Sequence, residues 1–330
     1  MPVPPIADAP LFVVLNAASG SGDAADTHAL ISRLLAESGR RHRVAITQPG
    51  LRIAELARRM VSQAMAEGGV VVAAGGDGTI NAVAQAAHDA GCPMGVLPQG
   101  TFNYFSRSHG IPLDTAQAIR ALIDARVEPV QVGQVNEQVF LVNASLGLYP
   151  DLLEDREQFK SRFGRHRAVA LVAAIATVMR AHRLLRLSIE LDGVVRDLRT
   201  PTLFVGNNRL QLEQVGIPQA SAIEHGRIAA VMLRPLGTAA LLGLLLRGAL
   251  GTLGDAERVV SFEFQRMTVT PSLPYGTRGV KVALDGEVRR MRSPLEFRVS
   301  GRPLYLLKPQ PVQQATPAAD AIAAATAGGA

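Results

Sequence analysis

The sequence predicts an open, mostly parallel α/β domain followed by a β-rich domain of the sandwich kind. Three observations carry this. Over the first 130 residues, short apolar runs at 11–15, 44–47, 70–74 and 94–97 alternate with stretches of helical spacing, the rhythm of a parallel sheet flanked by helices. Beyond residue 130, short strand-like runs pair around Asn136-Glu137, Asp192-Gly193 and Asp285-Gly286, as antiparallel hairpins do. Finally, 330 residues exceed what one core usually supports, so two domains are expected.

In chain order, residues 1–10 read as a flexible leader, with no basic stretch of the signal-peptide kind. The strand at 11–15 ends in the small-residue turn Asn16-Ala-Ala-Ser19-Gly20. A helix over 27–37 places Leu30, Ile31, Leu34 and Leu35 on one face and stops at Gly39. A brief strand at 44–47 and a helix over 53–66 follow. The strand at 70–74 breaks into Gly75-Gly76-Asp77-Gly78-Thr79 and restarts as a helix from Ile80, capped by Gly91. The strand at 94–97 leads to Gly100-Thr101-Phe102-Asn103, with Thr101 placed as an N-cap, and a helix over 114–124 closes the series. The α/β domain is thus expected over 11–130, completed by residues near 295–308, and the β-rich domain over 131–300. In that second part, strands are expected at 130–135, 138–142, 185–191, 194–198, 203–205, 228–233, 259–264, 280–284 and 295–299, with helices near 165–184 and 238–251. The Gln-, Pro- and Ala-rich tail, 309–330, has the composition of disorder.

Composition narrows the classes. Hydrophobic residues make up 48% and charged ones 19%, with a net charge of +6. This basic balance favours phosphorylated ligands, anionic membrane surfaces or nucleic acid. No aromatic platforms interleave with the charge, so nucleic acid is not an expected partner. The one cysteine, Cys92, cannot form an internal disulfide and fits a reducing cytosol. The longest apolar stretches, 168–179 and 238–246, fall short of the roughly 20 residues that a membrane span requires. The histidines show no metal-ligand spacing.

The chemistry concentrates in the turns. Strand, glycine turn and helix in succession aim backbone N–H groups and a helix N-terminus at one point, which suits a phosphate. Glycines let the backbone approach an anion closely, and Asp77 adds a carboxylate suited to Mg²⁺ or a hydroxyl. The three small-residue turns, near Asn16, Gly76 and Thr101, all fall at the carboxyl ends of strands, where open α/β sheets bind ligands. They should converge on one cleft.

Taken in order, Asn16-Ala-Ala-Ser-Gly20, Gly75-Gly-Asp-Gly-Thr-Ile-Asn81, Leu97-Pro-Gln-Gly-Thr-Phe-Asn-Tyr104 and Asp285-Gly-Glu287 resemble the catalytic domain of the diacylglycerol kinase and sphingosine kinase family, its bacterial members in particular. The resemblance implies ATP-dependent transfer of a γ-phosphoryl group to the hydroxyl of diacylglycerol or a related lipid. It implies nucleotide contacts from Asn16, Ser19, Gly20 and Thr47, from Gly75, Gly76, Asp77, Gly78, Thr79 and Asn81, and from Gly100, Thr101 and Asn103. Asp77 is the implied metal-binding carboxylate for Mg²⁺, and Glu287 the base, with Asp285 beside it. A primary alcohol is a poor nucleophile at neutral pH, so a positioned carboxylate suits the role. Asp192-Gly193-Val194 is an internal control, a hairpin turn of the same kind without the carboxylate.

Two positions depart from the family pattern. Tyr104 stands where the family has an acid that assists the Mg²⁺ network, and His225 where an Asp helps hold a second, structural Mg²⁺. An NAD kinase shares the Gly-Gly-Asp-Gly-Thr turn, but the stretch Gly95-Val-Leu-Pro-Gln-Gly-Thr101 does not follow that family's later pattern. A nucleotide- or lipid-binding protein with weak turnover is the rival from another class. The basic segment running from Lys160 to Arg186 brackets an apolar helix, read first as a packed helix with solvated ends and second as a dock for an anionic membrane surface. The expected setting is cytoplasmic, with peripheral contact at the inner membrane surface; a homodimer is compatible with the chain.

Overall fold

The computed structural model describes residues 8–17, 24–48, 52–148, 150, 184–235, 237, 240, 243, 247, 258–272 and 279–310. Residues 1–7 of the expected leader, Ser19, Gly20, nearly all of the helical stretches at 165–184 and 238–251, the basic segment up to Arg183, and the tail from 311 lie outside the described residues.

The first domain runs β1 (Leu11–Leu15), α1 (Ala24–Glu37), β2 (His42–Ile46), α2 (Ile53–Ala66), β3 (Val70–Gly75), α3 (Asp77–Ala90), β4 (Met94–Pro98), α4 (Tyr104–Ser108), α5 (Thr115–Ile123) and β5 (Arg126–Val130). Its sheet order is β2-β1-β3-β4-β18-β5, where β18 is Leu304–Lys308 from the far end of the chain. The strands from β1 to β4 are parallel, β18 is parallel to β4, and β5 is antiparallel to β18. Side chains alternate across a strand. Leu11, Val13, Val70 and Val72 therefore pack with Ile31, Leu35, Ile119 and Leu122 on one face. Phe12, Val14, Val71 and Ala73 pack with Leu56, Met60, Val83 and Ala84 on the other. Burial on both faces explains why these strands read as unbroken apolar runs.

The second domain contains β6 (Gly133–Val135), β7 (Gln138–Phe140), β8 (Asn143–Gly147), β9 (Leu185–Leu191), β10 (Val194–Thr200) and β11 (Thr202–Gly206). Then come α6 (Arg209–Gln214), a 3₁₀ helix (Pro218–His225), β12 (Ile228–Leu233), β13 (Val259–Phe264), β14 (Arg266–Pro271), β15 (Val280–Leu284), β16 (Glu287–Met291) and β17 (Leu295–Val299). Two sheets, β10-β9-β14-β17-β6-β7 and β13-β12-β11-β8-β15-β16, face one another over a core that includes Phe140, Leu146, Leu203, Met267, Val282 and Phe297. This is the α/β plus β-sandwich architecture expected from the sequence.

Three local readings change. The run expected as one strand at 130–135 is split: β5 ends at Val130 in the first sheet and β6 starts at Gly133 in the sandwich. The chain changes domain between them. Helix α3 begins at Asp77 rather than after Thr79, so the glycine turn and the first helical turn are the same residues. The N-cap of α4 is Asn103, not Thr101; Asn103 sits in the left-handed region at φ 49° and ψ 38°, and the helix starts one residue later.

Candidate active site

Strand β3 passes into α3 through a single residue, Gly76, in extended conformation. The first bond back into the helix is from the Ile80 N–H to the Gly76 carbonyl, 3.0 Å, so the N–H groups of Asp77, Gly78 and Thr79 lie ahead of the ladder. The next loop lies directly against this turn. The Gln99 N–H donates to the Gly75 carbonyl at 2.9 Å, and a Cβ on Gly100 would stand 3.1 Å from the Gly76 Cα and 3.5 Å from the Asp77 nitrogen. A Cβ on Gly75 would stand 2.6 Å from that of Thr79. Glycine is favoured here by close contact and not by φ: with the Thr79 side chain at Gly75, and with Asn103 Oδ1 and the Gly76 backbone at Gly100.

The ends of β1, β2 and β3 are laced together by the polar residues predicted for the site. Asn16 Nδ2 donates to Thr79 Oγ1 at 2.9 Å, Thr47 Oγ1 donates to Asn16 Oδ1 at 3.3 Å, and the Ala17 N–H donates to Thr47 Oγ1 at 3.0 Å. Asn103 closes its own loop: its Oδ1 accepts from the Gly100 N–H at 3.1 Å, and its Nδ2 donates to the Gly100 carbonyl at 2.8 Å. The Asn103 N–H also donates to the Asp77 carboxylate. Burial pushes the Asp77 carboxyl above its ordinary range, and that hydrogen bond opposes the shift. Asp77 Oδ1 is buried and accepts no hydrogen bond. Thr101 is exposed, as is Phe102, whose ring stacks on Tyr104 at 5.9 Å between centroids.

From the sandwich side comes the β15–β16 hairpin. Its turn residue Asp285, at φ 45°, is half-buried and accepts four hydrogen bonds. Oδ2 takes the Leu141 N–H at 2.8 Å and Asn81 Nδ2 at 2.7 Å; Oδ1 takes the N–H groups of Val142 at 2.8 Å and Asn143 at 3.0 Å. Burial pushes this carboxyl up, against the pull of the four donors. Asn81 donates to the Val139 carbonyl as well, at 3.0 Å, so its amide is directed to the second domain. Two residues beyond Asp285, the carboxylate of Glu287 lies against Gly78, where any Cβ would strike it. Arg289 holds Glu287 Oε2 at 3.1 Å and is itself anchored to Gln138 Oε1 at 2.7 Å.

Asn16, Thr47, the glycine turn, Gly100, Asn103 and Glu287 therefore share one cleft, while Asp285 and Asn81 form the brace behind it. Sequence reasoning passed over Arg289, Asn207 and Asn208. Asn207 Oδ1 accepts from Gln131 Nε2 at 2.8 Å, and Asn208 Nδ2 donates to Ser108 Oγ at 2.9 Å. These bonds tie the sandwich to the domain crossing and to α4. The available signal was the pair of asparagines after Gly206, with Asn208 capping α6 through the Gln211 N–H. At the altered second-domain position, His225 Nδ1 faces the Ser221 carbonyl at 3.0 Å, and neighbouring Glu224 pairs with Arg209. Among the described residues, no group of three or more His, Cys, Asp or Glu side chains is placed to hold a metal.

The fold and this cleft define a class: two-domain proteins with a glycine turn at a helix N-terminus on an α/β sheet, facing a carboxylate supplied by a β-sandwich. Residues 10–135 match the family model of the diacylglycerol kinase catalytic domain. Among curated relatives, the chain is 46% identical over 94 residues to the probable lipid kinase YegS-like of Pseudomonas aeruginosa (strain PAO1), a match covering 28% of this chain and 31% of that protein. It is 41% identical over 95 residues to the diacylglycerol kinase of Bacillus subtilis (strain 168), with the same shares, 28% and 31%. The chain thus spans under a third of the length of these relatives. A crystal structure of a diacylglycerol kinase from Bacillus anthracis str. Sterne shares the fold, with a TM-score of 0.68 at 18% identity over 91% of this chain and 97% of that one.

Proposed function

We propose that this chain is an ATP-dependent lipid kinase that transfers the γ-phosphoryl group to the hydroxyl of diacylglycerol or a related lipid. One observation carries the reading: the carboxylate of Glu287 lies against Gly78, in the first turn of α3. A base thus faces the helix N-terminus that suits a phosphate. Phosphoryl transfer asks a protein mainly for positioning and for stabilisation of charge. The first-turn N–H groups and the Asn16–Thr47–Thr79 lacing supply the former on the nucleotide side. Glu287 accepts the acceptor's proton as its oxygen bonds the γ-phosphorus; the bond to the β–γ bridging oxygen breaks and ADP leaves. Arg289 fixes the direction of the carboxylate. Asp285, half-buried and saturated by four donors, acts as a positioning residue that fastens this hairpin to α3.

Asp77 fits Mg²⁺, because its Oδ1 is buried and accepts no hydrogen bond. It is a single carboxylate, as Mg²⁺ sites completed by phosphate oxygens and water use. Bound with the nucleotide, Mg²⁺ supplies neutralisation of the phosphate charge. The setting proposed is cytoplasmic, with the lipid met at the inner membrane surface. No helix among the described residues is long and apolar enough to cross a membrane.

The test is ATP consumption with diacylglycerol, sphingoid and glycerophospholipid acceptors presented in anionic vesicles. Glu287→Gln is expected to lower transfer by about 10²- to 10⁴-fold with ATP affinity unchanged. Unchanged turnover removes Glu287 from the mechanism; phosphorylation of NAD without lipid overturns the reading as a whole.

A further inference from the structure

At the opposite edge of the sandwich, the two sheets part around a groove of about 590 Å³, within the size range of cavities that bury small ligands. Its walls are Ile189, Leu191 and Leu198 from one sheet and Met232, Val260 and Phe262 from the other. Three arginines line it as well, Arg196, Arg199 and Arg234, against one carboxylate, Asp192, among the described residues. Arg196 is the telling one. It lies on the edge strand β10 directly across from Ile189, a core residue, and between Val194 and Leu198 in the alternation. It therefore occupies a core-facing position of the strand. An inward charge on an edge strand also guards against pairing with other chains. Guarding needs no second cation, yet Arg234 comes from the end of β12 on the facing sheet.

This groove is separate from the proposed transfer site. The register runs Met232–Leu203–Leu146–Val282–Arg289 across β12, β11, β8, β15 and β16. Four strand spacings, about 19 Å, therefore separate the groove from Arg289. The three residues between, Leu203, Leu146 and Val282, are each 0% exposed, so packed core fills the path. A molecule with its hydroxyl at Glu287 does not reach this groove through the sandwich.

We infer that the groove binds an anionic membrane phospholipid, with one acyl chain along the apolar walls and the phosphate on Arg196 and Arg234. Charge complementarity argues for the headgroup: three cations to one anion on an otherwise apolar lining. Exposed apolar surface argues for a membrane as the source. Of the six large hydrophobics exposed among the described residues, two open β10 at this hairpin: Val194, 53% exposed, lines the groove, and Val195, 61% exposed, lies on the other face of the strand. Apolar side chains beside arginines at one end of a molecule suit the interface between headgroups and acyl chains. The inference stands apart from the catalytic reading, because it concerns binding alone.

The chain has no tryptophan, so Val194→Trp places a single reporter at the groove. With vesicles of phosphatidylglycerol in phosphatidylcholine, its emission is expected to shift to the blue and to be quenched by lipids brominated in the acyl chain; with phosphatidylcholine alone it should not respond. Arg196→Glu with Arg234→Glu, both at exposed positions, is expected to weaken vesicle binding on the order of tenfold or more while the far-ultraviolet circular dichroism and melting temperature stay unchanged. Glu287→Gln should bind vesicles as the wild type does, which separates this inference from the fate of the kinase reading. An equal response to neutral vesicles, binding without acyl-chain quenching, or full binding by the double arginine variant overturns it. So does a blue shift that follows protein concentration without lipid, which would assign the groove to a second copy of the chain.

Discussion

Asp77, the proposed Mg²⁺ ligand, carries a cost to stability. Burial holds its carboxyl above the ordinary range, so the native state binds this proton more tightly than the unfolded chain. As pH rises through that window, the unfolded state releases its proton first and stability falls. Asp77→Asn removes the penalty, and an amide oxygen can still accept the Asn103 N–H. The variant is expected to be more stable than wild type at neutral pH by about 1 kcal/mol, the gain disappearing in acid below the ordinary carboxylate range, while Mg²⁺-dependent nucleotide binding is lost. Urea denaturation at neutral and acid pH, beside nucleotide titration with and without Mg²⁺, checks both halves. The carboxylate was legible in the sequence because it sits inside a glycine turn between an apolar strand and a helix. Asn103 was legible as an implied nucleotide contact, but not as the residue that closes its own loop. Its job of closing that loop onto Gly100 depends on a left-handed backbone at φ 49°, which no spacing of residue types reports.

Helix α3 links the two halves of the cleft, and Gly78 is where they meet. In most first turns, alanine is the better helix former by about 1 kcal/mol. Here a Cβ would strike the Glu287 carboxylate, and Arg289 with Gln138 limits where that carboxylate can go. Gly78→Ala is therefore expected to leave the melting temperature equal or raised and to lower turnover by about 10²-fold, the cost of a misplaced reacting group. A variant with full turnover would show that Glu287 is not held against α3 in the working enzyme. The apolar runs and turns exposed most elements to a reading of the sequence, since strands buried on both faces and Asp-Gly hairpins carry strong local signals. Strand β5 did not stand out, because Arg126-Val-Glu-Pro-Val130 is charged and contains a proline. Such a strand is tolerated where it lies, at the sheet edge. Asn207 and Asn208 escaped notice because their value comes from partners 76 and 100 residues away.

The chain crosses between the domains twice, from β5 to β6 and from β17 to β18, and the second crossing returns a strand to an interior position of the first sheet, next to its edge strand. Strand β18 lies between β4 and β5, pairing Leu306 with Met94 on one side and all five of its residues, Leu304 to Lys308, with β5 on the other. Leu304, Leu306 and Leu307 are almost fully buried, Leu304 and Leu306 in one layer of the first-domain core and Leu307 in the other. A cut at the boundary near residue 131 thus does not yield a complete first domain. The fragment carrying residues 1–131 keeps the glycine turn but loses its fifth strand in sheet order. It leaves β5 without a partner and opens both core layers where three leucines were buried, each such loss being worth about 2–5 kcal/mol against a total of about 5–15 kcal/mol for a typical domain. The fragment is expected to lack a cooperative urea transition and dispersed amide resonances, and the full chain to show both. Phosphate or nucleotide should not rescue it, because the missing stabilisation lies in the sheet and not at the turn. A fragment that unfolds cooperatively would mean that β1 to β4 with their helices suffice, and that β18 is an addition to the first domain rather than part of its core.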